Sequence, residues 1–285
     1  MIAVILLLHR VRLVDCLLDN HYCSTAVTRN ESRSLITQLV RKILEVLPSP
    51  LTFSPRSLIA GWQYIGLQPC IKVGVYEDAQ EVLGTLLNNL LLKVPRAEAE
   101  QIFTKFQGHL LCRKTRDCVD FELADTFVGQ TDISPYMHVI GLNSAMNSPV
   151  RLREQLHQFL SGTFDSRCKA IMCRKKIRGA KMHVVQGKYT VVALSRSEDN
   201  RSKMMQKIDL SPYLPEVDCV TQEPIAVISH GGSLESGHYI VYSNVGGVWY
   251  LNDDHKRAVP SQYSPFEQNN IYRETADIIV FENKD

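Results

Sequence analysis

The stretch "ISHGGSLESGHYIVYSNVGGVWYLNDD", residues 228–254, decides the fold of this chain, because it contains two strand-like runs joined by a pair of glycines. Its β-branched and aromatic residues predict strands over 238–243 and 248–252. The Asn-Val-Gly-Gly between them favours a tight reversal, since glycine adopts the backbone angles that hairpin turns require. Antiparallel pairing would then return the end of the second strand to His238, which follows Gly237 at the start of the first.

The end of the second strand supplies hydrogen-bond acceptors for this histidine. Asn252, Asp253 or Asp254 could accept a hydrogen bond from the imidazole of His238 and fix its tautomer. A histidine with such an orienting partner makes up two members of a nucleophilic triad, and the third member is the nucleophile. For an isolated Gly-His-Tyr, the simpler alternative is a half-buried strand histidine followed by an ordinary turn.

The rest of the chain changes character near residue 110. Apolar residues at helical spacing predict helices over 34–47, 76–94 and 148–162. Further strands are predicted over 136–142, 189–195, 225–229 and 276–282. Helices first and a sheet later predict an α+β fold. We interpret the chain as a single domain over 1–285, mainly helical over 1–110 and mainly strands over 111–285.

Composition and charge are those of an ordinary globular protein, with 45% hydrophobic residues among 285 to build a core. Lys and Arg number 32 against 30 Asp and Glu, so the net charge gives no general attraction to nucleic acids or anionic membranes.

The basic stretch 167–181 has no interleaved aromatic residue and favours a solvated hairpin. The apolar run before His9 lacks a basic lead-in and is interpreted as a buried helix. We therefore expect neither a nucleic-acid nor a membrane partner.

The histidine-bearing stretch, extended to Val259, resembles the histidine box of the ubiquitin-specific protease family of cysteine deubiquitinases. Residues 74–90 resemble the family's Gln-Gln-Asp-Ala-x-Glu-Phe-Leu helix, with matches at Asp78, Ala79, Glu81 and Leu83. Residues 188–197 and 207–216 resemble the strand and the Leu-x-x-Tyr segment that precede the histidine box, and residues 276–283 resemble the closing strand. The similarity spans nearly the whole chain.

The resemblance implies a papain-like α+β fold, with a helical N-terminal half and an antiparallel-sheet C-terminal half. It implies thiol-dependent cleavage of ubiquitin conjugates, with ubiquitin or a ubiquitinated protein as the partner. His238 would be the general base and Asp253 its orienter in an ungapped alignment, whereas a one-residue gap selects Asn252. The residues expected to meet the ubiquitin tail are Asp78, Glu77 and His230.

The nucleophile is the point at which the chain departs from the family. The family's cysteine lies in a Gly-Asn-Thr-Cys-Tyr motif at the start of a helix, where the helix N-terminus lowers the pKa of the thiol. This sequence contains no such motif, and the resemblance places the cysteine immediately before Met1. Cys16 lies within an apolar pattern, and Cys23 has no preceding glycine turn, so both are interpreted as structural thiols.

The eight cysteines are scattered through a chain long enough to fold without disulfides, so we expect reduced thiols in the cytosol or the nucleus. The resemblance implies a zinc-binding extension where this chain has Cys112 with Cys118 and Cys168 with Cys173. Neither pair has the two-residue spacing that favours zinc, so we expect no metal and no cofactor.

Three hypotheses about function follow from the sequence. The first is a deubiquitinase whose cysteine lies upstream of Met1. The second is a catalytically dead pseudoenzyme that binds ubiquitin or serves as an interaction scaffold. The third is an unrelated α+β interaction protein, for which the Gly-His-Tyr match would be coincidental.

Overall fold

The computed structural model describes residues 78–91, 100–110, 120–122, 134–142, 150–161, 166–167, 176–177, 180–198, 202–203, 208–209, 221–233, 236–253, 259–260 and 275–284. The helix predicted over 34–47 and most of the segment predicted to be mainly helical, 1–110, lie outside these ranges. The described part is rich in strands. None of its helices is long and apolar enough to cross a membrane.

The elements whose bounds lie within this part of the chain are two helices and sixteen strands. The helices are α1 (Ala79–Leu91) and α2 (Leu152–Ser161). The strands are β1 (Lys105–Leu110), β2 (Asp120–Glu122), β3 (Met137–Gly141), β4 (Val150–Arg151), β5 (Ser166–Arg167), β6 (Lys176–Ile177), β7 (Ala180–Val185), β8 (Tyr189–Ser195), β9 (Ser197–Glu198), β10 (Ser202–Lys203), β11 (Ile208–Asp209), β12 (Thr221–Gly232), β13 (Gly237–Val245), β14 (Val248–Asn252), β15 (Val259–Pro260) and β16 (Ala276–Lys284). They belong to two compact units, Met1–Thr85 with Ile225–Ile279 and Leu86–Pro224 with Val280–Asp285.

The first unit contains the hairpin predicted from the sequence. Its strands lie in the order β15-β14-β13-β12-β16, and β12, β13, β14 and β15 pair antiparallel. Gly246 and Gly247, with φ of 60° and 85°, form the two-residue turn between β13 and β14. Both angles lie in the left-handed region that only glycine reaches without strain, so the glycine pair sets the register of this hairpin.

Helix α1 begins at Ala79, and Asp78, the residue before it, caps its N-terminus. The Oδ1 atom of Asp78 accepts a hydrogen bond from the backbone N–H of Gln80 at 2.6 Å, as an N-cap residue does. Ala79, Val82 and Leu83 follow at helical spacing and are fully buried. Burial of this apolar face fixes the position of the helix start, and therefore that of Asp78.

Among the described residues of the first unit, the central strands of the sheet supply most of the buried apolar side chains. Those of the strands are Ala226, Val227, Ile228, Val241, Tyr242, Ala276, Ile278 and Ile279. In contrast, β14 is mostly accessible, and Asn252 is its buried residue. The hydrophobic core therefore fixes β12, β13 and β16 more strongly than it fixes β14.

The second unit combines antiparallel and parallel pairing. Strands β2, β1 and β7 form an antiparallel sheet, while β3 pairs parallel to β8, and β4 pairs parallel to β11. Val191, Val192, Ala193 and Leu194 of β8 are all buried. Such a continuous apolar run is typical of a strand that is covered on both faces.

A buried polar network surrounds Gly187 in the second unit. The Nδ2 group of Asn283 donates to the carbonyl of Gly187 at 2.6 Å and to the Thr190 hydroxyl at 3.0 Å. The Thr104 hydroxyl accepts from the Gly187 N–H at 3.2 Å and lies 2.8 Å from the Thr190 hydroxyl. Every polar group named here has a partner, so the network stabilises the unit instead of leaving desolvated groups unpaired.

The α+β fold predicted from the sequence is confirmed, and several predicted elements match closely. Strands β8 and β14 have the predicted bounds, and β12, β13 and β16 extend beyond them. The helix predicted over 148–162 is shorter, because Val150–Arg151 pair with Ile208–Asp209 as strands before the helix begins.

The change from helix to strand also comes before residue 110. Strand β1 begins at Lys105 and pairs along its whole length with β7. Its sequence, "KFQGHL", lacks the alternation that predicts a strand, so backbone pairing on both sides defines it. The sheet half is not purely antiparallel, since β3 and β4 each have a parallel partner.

Replacement of Gly187 by alanine should destabilise the protein. A Cβ at this position would overlap the carbonyl carbon of Phe103 and lie 2.6 Å from its oxygen. The backbone must shift, at a cost of about 1–3 kcal/mol. The matched control is Gly141→Ala, since nothing lies within 4 Å of a Cβ there. Urea unfolding of both variants checks this, and equal stabilities would contradict it.

Candidate active site

His238 and Asp253 form the polar pair at the start of β13. The Nε2 atom of His238 lies 2.5 Å from Oδ1 of Asp253. A carboxylate only accepts hydrogen bonds, so in this contact Nε2 carries the hydrogen and donates it. The His238 side chain is 54% exposed and that of Asp253 is 22% exposed. Asp253 therefore holds the imidazole at Nε2, while about half of the His238 side chain is accessible to solvent.

The strand geometry explains why Asp253 and not Asn252 meets this histidine. Val241 lies opposite Asn252 in the register, and one further step places Asp253 opposite Ile240. Side chains alternate between the two faces of a strand, so Asp253, Ile240 and His238 lie on one face. His238 and Asp253 are diagonal neighbours across the strand pair, within reach of a long side chain.

Asn252 points to the opposite face and has other partners. Its Nδ2 group donates to the Val241 carbonyl at 3.3 Å, the Ser243 hydroxyl at 3.2 Å and the Tyr250 carbonyl at 3.4 Å. The side chain is buried, with 4% of the residue exposed. Of the two alternatives that the resemblance left open, the structure brings Asp253 to the histidine. Asp254, the third acceptor considered, lies outside the described residues.

Gly237, which precedes the histidine, is required by a close approach. A Cβ at this position would overlap the His230 imidazole and the Gly231 carbonyl, and would lie 2.7 Å from Cε1 of His230. His230 lies opposite Tyr239 in the pairing of β12 with β13, and their rings stack at a centroid distance of 4.3 Å. Gly237 thus leaves room for the His230 ring, and the next residue, His238, directs its own ring to Asp253.

A second polar group surrounds Tyr239, on the face of β13 opposite His238. The Tyr239 hydroxyl accepts a hydrogen bond from the backbone N–H of Ala79 at 3.4 Å. Nδ1 of His230 lies 3.9 Å from Oδ2 of Asp277, and both side chains are about nine-tenths buried. Gln80 donates to the Asp277 carbonyl at 3.5 Å. The start of α1 is therefore joined by side chains to the strand that carries the candidate base.

Burial raises the pKa of Tyr239, and the nearby carboxylates of Asp78 and Asp277 raise it further. All three effects oppose the formation of a phenolate beside these acids. The neutral hydroxyl keeps its proton and can both accept from Ala79 and donate to another group.

The residues predicted from the sequence are thus divided between two places. His238 and Asp253 form one pair, whereas His230 and the Asp78–Ala79 start of α1 meet around Tyr239. Glu77 lies outside the described residues. Asp78 is used as an N-cap, and the structure does not test its predicted contact with a ubiquitin tail.

Tyr239 and Asp277 are residues of this group that the sequence motifs do not indicate. Tyr239 belongs to the Gly-His-Tyr, where it has the alternation of an ordinary strand residue. Asp277 carried a usable signal, because an acid inside "ADIIVFE" is unexpected in a strand that is otherwise apolar. In the structure Asp277 is buried, with 7% of the residue exposed, as its place in an apolar strand indicates.

All eight cysteines lie outside the described residues, including Cys16, Cys23 and the two pairs considered for zinc. Within the described ranges, no group of three or more His, Cys, Asp or Glu residues could hold a metal ion. The predictions about the nucleophile and about zinc therefore remain predictions.

Solved structures with a similar fold contain the protein Ubp8. The chain matches the SAGA Ubp8/Sgf11/Sus1/Sgf73 DUB module with a TM-score of 0.58 and 17% identity, over 100% of this chain and 67% of that one. It matches a SAGA DUB module bound to monoubiquitin with a TM-score of 0.57 and 17% identity, over 99% and 66%. A yeast SAGA DUBm structure gives a TM-score of 0.57 and 15% identity, over 99% and 66%. The chain thus spans about two thirds of the length of the chains that it matches.

The fold is of the papain-like class, and the histidine–carboxylate pair lies at one end of its hairpin. The model of the family "Ubiquitin carboxyl-terminal hydrolase" matches residues 3–278, and the chain belongs to this family. The resemblance to the ubiquitin-specific proteases seen in the sequence is confirmed, and the function is ubiquitin hydrolase-like.

We expect Tyr239 to make the protein less stable at high pH. Its pKa is raised in the fold, so the unfolded chain loses this proton first, near pH ~10. The stability contributed by the neutral hydroxyl is present below that pH and falls above it, by at most ~1.4 kcal/mol per pH unit.

The free energy of unfolding of Tyr239→Phe should fall less steeply than that of the parent between about pH 9.5 and about pH 11. Urea unfolding of the parent and the variant across this range measures the difference. A parallel measurement near neutral pH isolates the lost hydrogen bond from Ala79, at about 1 kcal/mol. If the free energies of unfolding of parent and variant fell with the same slope above pH ~10, the prediction would be contradicted.

Proposed function

We propose that this chain binds ubiquitin and that, in the complete protein, it cleaves ubiquitin conjugates by a thiol-dependent mechanism. The observation that carries the proposal is the contact between His238 Nε2 and Asp253 Oδ1 at 2.5 Å, in a chain of this family. A papain-like hydrolase needs an oriented imidazole next to its nucleophile, and this contact orients one.

The contact assigns different roles to the two nitrogens of His238. Because Nε2 donates to Asp253, Nδ1 carries the lone pair in the neutral ring and is the basic atom. In the proposed reaction, Nδ1 takes the proton from the cysteine thiol. Asp253 holds the ring in this tautomer and stabilises the imidazolium that forms.

The thiolate then attacks the carbonyl carbon of the terminal glycine of ubiquitin. The bond to the lysine nitrogen of the substrate breaks, and the imidazolium returns its proton to the leaving amine. The product of this step is a thioester between ubiquitin and the cysteine. Water, deprotonated by the same imidazole, hydrolyses the thioester and releases ubiquitin with a free carboxylate.

Ubiquitin as the ligand is supported by the family and by a similar fold. One of the similar structures, a SAGA DUB module, is bound to monoubiquitin. The tail of ubiquitin ends in Leu-Arg-Gly-Gly, whose arginine would pair with an acid such as Asp78 or Glu77. His230, stacked on Tyr239 next to the start of α1, would complete this tail site.

The identity of the nucleophile separates the two versions of this proposal. The Gly-Asn-Thr-Cys-Tyr motif does not occur in residues 1–285, which favours binding without cleavage by this chain alone. A ubiquitin-binding pseudoenzyme, or an interaction scaffold, is therefore the second candidate. Cytosolic or nuclear location, and the lack of nucleic-acid and membrane partners, remain part of the proposal on the grounds of composition and charge.

We expect a ubiquitin probe with a C-terminal electrophile to leave the 1–285 chain unlabelled. Neither Cys16 nor Cys23 has the glycine turn at a helix start that would lower the pKa of its thiol. Intact mass measurement after incubation checks this expectation. Labelling that is lost in Cys23→Ala and kept in Cys16→Ala would overturn it and identify Cys23 as the nucleophile.

We also expect Asp78→Asn to weaken ubiquitin binding about tenfold while lowering stability by less than ~1 kcal/mol, the contribution of the charge at the helix N-terminus. Asparagine caps a helix as well as aspartate does, so this change removes the charge and keeps the hydrogen bond to Gln80. A charge-assisted bond to the arginine of the tail is worth enough to account for about tenfold in affinity.

Calorimetry with ubiquitin measures the affinity, and thermal unfolding of the same samples measures stability. Ubiquitin trimmed of its Leu-Arg-Gly-Gly tail should not distinguish the parent from Asp78→Asn. Equal affinities of both proteins for intact ubiquitin would leave Asp78 as a structural cap. No binding by the parent chain would refute the proposed function itself.

A further inference from the structure

Strand β14 carries Asp253 at its end, yet little of the strand is held by the core. Val248 is exposed, Trp249 to Leu251 are partly buried, and Asn252 is the buried residue. At the turn, Val245 and Val248 are each 45% exposed. The usual determinant of register, a buried apolar face, is therefore weak in this strand.

Asn252 provides a polar substitute for that apolar face. Its Nδ2 group lies within 3.4 Å of the Val241 carbonyl, the Ser243 hydroxyl and the Tyr250 carbonyl. Carbonyl oxygens only accept hydrogen bonds, so the –NH₂ end of the amide must face them. Two of the three acceptors belong to β13, so the side chain connects β14 to the strand that carries His238.

These contacts span two steps of the strand ladder. Val241 lies directly opposite Asn252, while Ser243 lies opposite Tyr250. A slip of one residue would turn the amide to the other face and leave a buried amide without these partners. The same slip would move Asp253 away from the face of His238.

We propose that Asn252, with Ser243, is a positioning residue that fixes the register of β14 and so holds Asp253 against His238. The glycine turn sets the register at one end of the hairpin, and Asn252 secures it at the other. The catalytic importance of this positioning rests on the proposed function. Its physical content, the dependence of the His238–Asp253 contact on Asn252, can be measured without a substrate.

The test is nitrogen NMR of the protein with labelled histidines. Loss of a signal in His238→Gln assigns His238, and Asp253→Ala gives the signals of the ring without its partner. The test variant is Asn252→Asp, which keeps the shape of the side chain but places a carboxylate against two carbonyl oxygens. We expect the His238 signals in this variant to move to the Asp253→Ala positions.

Asn283→Asp is the matched control. Asn283 also donates its Nδ2 hydrogens to three acceptors, the Gly187 carbonyl, the Thr190 hydroxyl and the Thr104 hydroxyl. The control makes the same chemical change in the other unit, and thermal unfolding measures the loss of stability in both variants. A positioning role predicts that His238 signals move in Asn252→Asp alone.

Parental His238 signals in Asn252→Asp would overturn the inference, and so would an equal movement in Asn283→Asp. If Asn252→Asp does not fold, Ser243→Ala removes one of the three acceptors and should give a partial movement in the same direction. No movement in Ser243→Ala would then count against the proposal. A parent chain that does not bind ubiquitin would refute the proposed function, but the NMR result on His238 would still stand.

Discussion

The alternation of side chains along β13 is the constraint on which the candidate site depends. Because neighbouring residues of a strand point to opposite faces, His238 and Tyr239 are adjacent in sequence but belong to different groups of side chains. His238 meets Asp253 on one face, and Tyr239 meets His230 and the start of α1 on the other. One rigid strand thus positions the candidate base and a residue of the proposed binding site together.

The glycines of this region show how backbone requirements shape the site. Gly246 and Gly247 are needed for their positive φ angles, which close the hairpin in two residues. Gly237 is needed for space, since the His230 ring occupies the volume that a side chain would fill. A substitution at Gly237 would therefore disturb the stacked His230–Tyr239 pair before it affected the turn.

Much of the described part of the first unit could be predicted from the sequence, since its signals are local. The β-branched run of β13, the glycine pair and the acids that follow β14 predict a hairpin in which His238 meets a carboxylate or an amide. The choice between Asn252 and Asp253 could not be made from residue chemistry, because both side chains can accept from an imidazole. The register decides it, because it places only Asp253 on the face of His238.

Other features depend on contacts between residues distant in sequence, and local patterns do not show them. The pairing of Val150–Arg151 with Ile208–Asp209 shortens a predicted helix, and β1 is a strand only because β2 and β7 flank it. Similarly, the contact between the Tyr239 hydroxyl and the Ala79 N–H joins residues 160 positions apart. The helix cap at Asp78, by contrast, is a local contact, since its hydrogen bond reaches Gln80 two residues along the chain.

The start of α1 combines these local and distant effects. Asp78 satisfies one of the free N–H groups of the first turn, and the Tyr239 hydroxyl satisfies another, that of Ala79. The positive end of the helix dipole favours the nearby carboxylate of Asp78, while burial beside two acids keeps Tyr239 neutral. A cationic ligand group could approach Asp78 without displacing the Gln80 N–H, because a carboxylate has two acceptor oxygens. One oxygen is committed to the cap, so a tail arginine would have to pair with the other, and a single carboxylate can serve the helix and the ligand at once.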